Sequence, residues 1–89
     1  MATYLFFRHR VRDFAAWKPV FDAHRAKRVE AGLTDKHVLQ DSANPNDVFV
    51  LFEVRDLARA KAFVESADLR TTMEKAGVVA HPGIHFLRG

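Results

Sequence analysis

A ferredoxin-like α+β fold is what this sequence predicts: β-α-β-β-α-β order, with two helices on one face of a four-stranded antiparallel sheet. Three observations carry that prediction. Val48 to Val54, reading VFVLFEV, is apolar on both faces of a strand, so it belongs inside a sheet with something packed on each side. Two stretches of helical periodicity, each opened by an aspartate and closed by a glycine, separate extended segments. The run Ser42-Ala43-Asn44-Pro45-Asn46-Asp47 is dense in turn formers and joins the middle strands as an antiparallel hairpin.

Tyr4 to Val11 forms the first strand, with Leu5, Phe7, His9 and Val11 on one face and Tyr4, Phe6, Arg8 and Arg10 on the other. Asp13 then caps a helix in which Phe14, Trp17, Phe21, His24, Arg28 and Ala31 recur at helical spacing, up to Gly32. Pro19 lies inside that pattern and removes a helical hydrogen bond, which predicts a separate first turn at 14 to 17 and a main helix from Lys18 or Pro19. Leu33 to Asp41 alternates Leu33, Asp35, His37 and Leu39 against Thr34, Lys36, Val38 and Gln40, as an exposed or edge strand does. After the central strand, Asp56 caps a second helix bearing Leu57, Ala60, Phe63 and Val64. Ser66 or Asp68 restarts it, and Leu69, Met73 and Ala76 continue its apolar stripe to Gly77. Val78 to Leu87 closes the sequence as an extended segment bent at His81-Pro82-Gly83.

The 89 residues make one domain over 1–89, and 48% hydrophobic content with eight phenylalanines describes a folded chain rather than a disordered one. Cysteine is absent, which removes disulfides, thiolate nucleophiles and thiolate-bound metals. The longest apolar run is about five residues against the ~20 that span a bilayer, and Arg8, Arg10 and Arg12 interrupt the place of a signal peptide. A cytoplasmic protein without a membrane partner is expected. Fourteen basic and eleven acidic side chains leave a net charge of +3, too small an excess to indicate nucleic acid.

With both helices on one face, Tyr4, Phe6 and one apolar set of the central strand remain uncovered on the other. Such a patch exceeds what a monomer ordinarily exposes, and pairing of two sheets in a symmetric homodimer is its simplest cover.

Several local patterns accompany this order: Asp13-Phe14-Ala15-Ala16-Trp17-Lys18 opening the first helix, the Asn44-Pro45-Asn46 hairpin, Ser66-Ala67-Asp68-Leu69-Arg70, Met73 and Ala76-Gly77-Val78. In them the chain resembles the dimeric α/β-barrel superfamily, which includes antibiotic-biosynthesis-monooxygenase-like and stress-responsive small barrel proteins. The resemblance covers nearly the whole chain and implies the fold and a dimer. Its members include cofactor-free monooxygenases, haem-degrading enzymes and isomerases, so chemistry follows less directly. The haem-degrading members use a histidine on the second helical segment and an asparagine on the first strand. Here Leu57 to Ala76 has no histidine and the first strand no asparagine, so haem degradation is not expected.

Histidine is the side chain suited to acid-base work near neutral pH, and there are five. His24 shares the helix stripe of Trp17 and Phe21, and His9 shares the strand face of Phe7. A cleft between the first helix and the sheet, walled by Phe7, Trp17, Phe21 and Phe63, would therefore hold His9, His24 and Arg28. On that reading the chain binds a small apolar or aromatic molecule, with His24 as the base and Arg28, one turn on, stabilising an enolate or phenolate. The competing reading makes His24 a helix-boundary residue bonded to backbone and His9 a strand residue near the rim. Trp17, the single tryptophan, stands at a helix entry, where a tryptophan is far more often a core anchor or staple than a substrate platform.

His81 and His85 stand ~13 Å apart on an extended segment, too far for one zinc unless Pro82-Gly83 bends sharply, so no metal is expected. No Gly-x-Ser-x-Gly turn and no phosphate-cradling glycine loop occurs, and no organic cofactor is expected. RNA-recognition motifs share the element order and are the alternative from another class. Phe49-Val50-Leu51-Phe52 matches the end of their aromatic octapeptide, but Pro45, Asn46, Asp47 and Val48 stand where a basic residue, a glycine, an aromatic and a small residue are wanted. A structural or regulatory dimer without ligand is the third reading.

Overall fold

Among the described residues, three of the four helices begin by one device, a short polar side chain accepting a hydrogen bond from a backbone amide of the first turn. Asp13 accepts from Ala15 N (3.1 Å), Asp56 from Arg59 N (3.1 Å) and Ser66 from Leu69 N (3.2 Å), each worth about 1 kcal/mol. The computed structural model describes residues 2–89, with the side chains of His81 and Pro82 outside the described set. Its elements are β1 (Thr3–Val11), α1 (Phe14–Ala23), α2 (Arg25–Glu30), β2 (Leu33–Gln40), β3 (Asp47–Val54), α3 (Leu57–Val64), α4 (Ala67–Lys75) and β4 (Val78–Arg88). The strands form one antiparallel sheet in the order β2-β3-β1-β4, with β3 and β1 inside and β2 at an edge, as expected for the ferredoxin-like arrangement.

The helical face of the sheet is the core. Val48, Val50, Phe52 and Val54 of β3 are all buried there, joined by Leu5, His9 and Val11 from β1. Fully burying Val50 or Phe52 stabilises the fold by roughly 1.5–3 kcal/mol each relative to exposure. Trp17 and Phe21 supply the facing layer, stacked at 4.6 Å, and Phe21 in turn lies 6.3 Å from Phe52. Asn46 fixes the hairpin end to the start of α1: its Oδ1 accepts from Phe14 N (3.0 Å), its Nδ2 donates to Arg12 O (3.2 Å), and its carbonyl accepts from Val11 N (2.8 Å).

Two sequence expectations need correction. The first helix does not break at Pro19, which sits inside a continuous α1; it steps at His24, between α1 and α2. Proline there removes one internal bond. The step at His24 is instead held from outside, since the Arg28 guanidinium donates to the carbonyl of Phe21 at the last turn of α1. In β2 the strict alternation fails, because a register shift between Asp35 and His37 turns His37 and Leu39 to the open face with Thr34 and leaves Leu33, Asp35 and Val38 facing the helices. The helix that closes at Gly32 needs that glycine: φ is +79°, and a Cβ would stand 2.9 Å from Asp56 N.

Among the described residues no helix covers the opposite face. Cross-strand pairing lays out a row His37, Leu51, Phe6, His85 over all four strands, flanked by Leu39, Phe49, Arg8 on one side and Glu53, Tyr4, Leu87 on the other. Leu39 and Leu87 remain 56% and 47% exposed. At one end, Arg8 grips Asp47 with two contacts, Nε to Oδ1 at 3.0 Å and Nη2 to Oδ2 at 2.6 Å, while lying over the Phe49 ring at 5.3 Å. The hydrogen bond from Arg8 holds the Asp47 carboxyl below the usual carboxylate range, and the same bond raises the Arg8 guanidinium.

Candidate functional site

Between the helices and the sheet lies a partly open, mostly apolar cavity of about 60 Å³, to which all four helices and all four strands contribute lining residues among those described. Every site residue singled out from the sequence lines it: Phe7, His9, Trp17, Phe21, His24, Arg28 and Phe63. The period-2 pattern of β1 turns Phe7 and His9 inward together, with ring centroids 3.9 Å apart. His9 is buried, not at the rim as the alternative reading had it. Beside it the β1–β4 register slips: Arg8 pairs with Gly83 and Arg10 with Ala80, so two residues of β4 oppose His9 in a bulge. Bulges of this kind re-aim strand side chains and recur beside functional sites.

His24 occupies the step between α1 and α2, which makes it both a boundary residue and a cavity residue. Its ring lies 5.9 Å from Phe63, and its Nε2 is 3.9 Å from Oδ2 of Asp68 at the start of α4. Arg28 reaches the cavity from α2, but with its charge matched. Its Nε and Nη2 donate to the two carboxylate oxygens of Asp35 at 3.0 and 2.9 Å, and its Nη1 donates to Phe21 O. The guanidinium also stacks on Phe21, 3.7 Å from the ring centroid. Three of its five N–H groups are thereby committed, which fixes the guanidinium in the cavity wall.

The sequence reading did not include the wall contributed by α4, namely Leu69, Thr72 and Met73 with Ala76 beyond its end, nor Ile84 of β4. Leu69, Met73 and Ala76 were visible as an apolar stripe. No signal distinguished Thr72, whose hydroxyl donates to Asp68 O at 3.0 Å. Among the described residues no carboxylate lines the cavity. The space is under half of the ~150 Å³ that takes up benzene in an engineered protein cavity, so an aromatic guest requires a wall to move. Among the described residues no group of three metal-ligating side chains occurs, and no helix is long and apolar enough to cross a membrane. The histidine pair weighed for zinc includes His81, which lies outside the described residues.

No family model matches the sequence, and no curated protein does. Solved structures do match in fold. A candidate antibiotic biosynthesis monooxygenase from Bordetella bronchiseptica superposes with a TM-score of 0.79 at 13% identity, over 99% of this chain and 96% of that one. Another candidate of that kind, from Caulobacter crescentus CB15, gives 0.75 at 15% identity over 99% and 89%. SnoaB, a cofactor-independent oxygenase from Streptomyces nogalater, gives 0.70 at 14% identity over 99% and 94%. The chain therefore has the ferredoxin-like fold of the antibiotic-biosynthesis-monooxygenase-like proteins.

Proposed function

We propose that this chain is a cytoplasmic homodimer, paired through the open sheet face, that takes a small apolar or aromatic molecule into the cavity between α1 and the sheet. On that molecule it performs proton-transfer-dependent chemistry of a cofactor-free monooxygenase or isomerase kind, with His24 as the base. One observation carries the reading: seven residues from β1, α1, the α1–α2 step, α2 and α3 line one mostly apolar cavity, two of them histidines. Apolar walls with a few polar groups are how small-ligand sites are built, and an imidazole, ordinarily titrating near ~6.5, accepts a proton at neutral pH. The fold shared with a cofactor-independent oxygenase supports the choice of chemistry. Proton loss leaves a phenolate or enolate, which either meets oxygen or is reprotonated. Arg28, held in the cavity wall by Asp35 and the Phe21 carbonyl, stabilises that anion by its charge.

Trp17 lies in the cavity wall and reports binding directly. A panel of phenols, quinones and lactones should yield ligands that change Trp17 emission and raise the melting temperature. With such a ligand turned over, His24→Ala should lower kcat by ~10²-fold or more and leave the melting temperature within a few degrees. If the whole panel moves neither emission nor melting, the cavity is core and the reading fails.

A further inference from the structure

Four residues of α4, Asp68, Leu69, Thr72 and Met73, are spaced to share one face of the helix. The last three line the cavity, while Asp68 points its carboxylate at His24, 3.9 Å from Nε2. That distance is about 1 Å beyond a charge-assisted N–H···O bond. The Asp68 side chain is 74% exposed and that of His24 only 16%. The helix that carries Asp68 is the loosest part of the wall: α4 buries no residue, whereas α1 buries Trp17 and Phe21. It lies between the Ser66 cap and Gly77 at φ +82°. A cavity too small for a benzene ring must open at some wall, and β1, β3 and α1 are core.

We propose that Asp68 is a positioning residue: α4 yields to admit the ligand and, closing over it, brings the Asp68 carboxylate onto the Nε2–H of His24, leaving Nδ1 to act as the base. This deepens the proposed function and rests on it. The proton passes from the ligand's O–H or acidic C–H to Nδ1. The bonding electrons stay on the ligand as phenolate or enolate, and Asp68 balances the imidazolium without taking the proton itself. Ligand contact and assembly of the His24–Asp68 pair are then one motion, because one helix face makes both.

The test uses 1-naphthol as probe, with NMR of the ¹⁵N-labelled full chain. Saturating wild-type protein should produce a low-field, slowly exchanging imidazole N–H resonance, assigned to His24 by its loss in His24→Ala. Asp68→Asn should abolish it and Asp68→Glu restore it. Naphthol affinity should fall by no more than about fivefold in Asp68→Asn, since an exposed ion pair contributes little binding, and the melting temperature should not change. A resonance that survives in Asp68→Asn overturns the proposal. So does its absence in wild-type protein whose Trp17 emission shows naphthol bound, an outcome that leaves the pocket itself standing. Failure of 1-naphthol and of the whole phenol, quinone and lactone panel to perturb Trp17 emission or melting removes both readings together.

Discussion

Arg28 and Asp35, seven residues apart in the chain, are joined by two parallel contacts of 3.0 and 2.9 Å that tie α2 to β2 behind the cavity. The Arg28 side chain is only 5% exposed, and that of Asp35 is 23% exposed. Removing one partner of such a pair leaves the other uncompensated, and the two sides are not equivalent. Asp35→Ala strands a buried guanidinium and should cost about 3 kcal/mol, the low end for breaking a buried pair because some solvent reaches the site. Arg28→Met keeps most of the packing on Phe21 and frees a carboxylate that can turn to water, so its loss should be smaller. Urea midpoints at unchanged m-value give the comparison. Equal losses in the two variants would contradict the asymmetry.

Asp47 predicts a pH dependence of stability. Its carboxyl is held below the usual range by the hydrogen bond from Arg8, so the ionised pair contributes fully above the ordinary carboxylate pKa of ~3.9 and loses its contribution as pH falls through the lower folded value. The stability gap between wild type and Asp47→Asn should be flat from pH 7 to 5 and close as the pH drops below about 4. Denaturation midpoints at three pH values suffice. A gap that widens in acid would reverse the sign.

What could be read in the sequence was whatever depends on local period. The two faces of β3 follow from strict alternation, and the inward set Leu5, Phe7, His9, Val11 follows in the same way. Three features escaped for tertiary reasons. The step at His24 depends on Arg28 reaching back to Phe21 O, a contact no propensity encodes, whereas Pro19 costs only one bond inside a well-capped helix. The bulge in β2 inserts one residue that alternation cannot locate. The α4 wall was visible as an apolar stripe but not as a neighbour of His24, because the break at Glu65 and Ser66 sets where α4 lies.

The open sheet face gives the last prediction. Leu51 sits at its centre, between His37 on β2 and Phe6 on β1, in a row that no helix covers. Its neighbour Val50 points the other way and is fully buried. A lysine at 51 therefore puts a charge into the proposed sheet-to-sheet interface without touching the core, whereas a lysine at 50 buries an unpaired charge among Leu5, Phe52 and their neighbours. Light scattering at micromolar concentration should give the mass of two chains for wild type and of one chain for Leu51→Lys, which keeps its native secondary structure by circular dichroism. Val50→Lys should fail to fold. A wild-type monomer would refute pairing through this face and return Phe6 and Phe49, whose rings lie 6.1 Å apart, to the stacking role that the RNA-binding alternative requires.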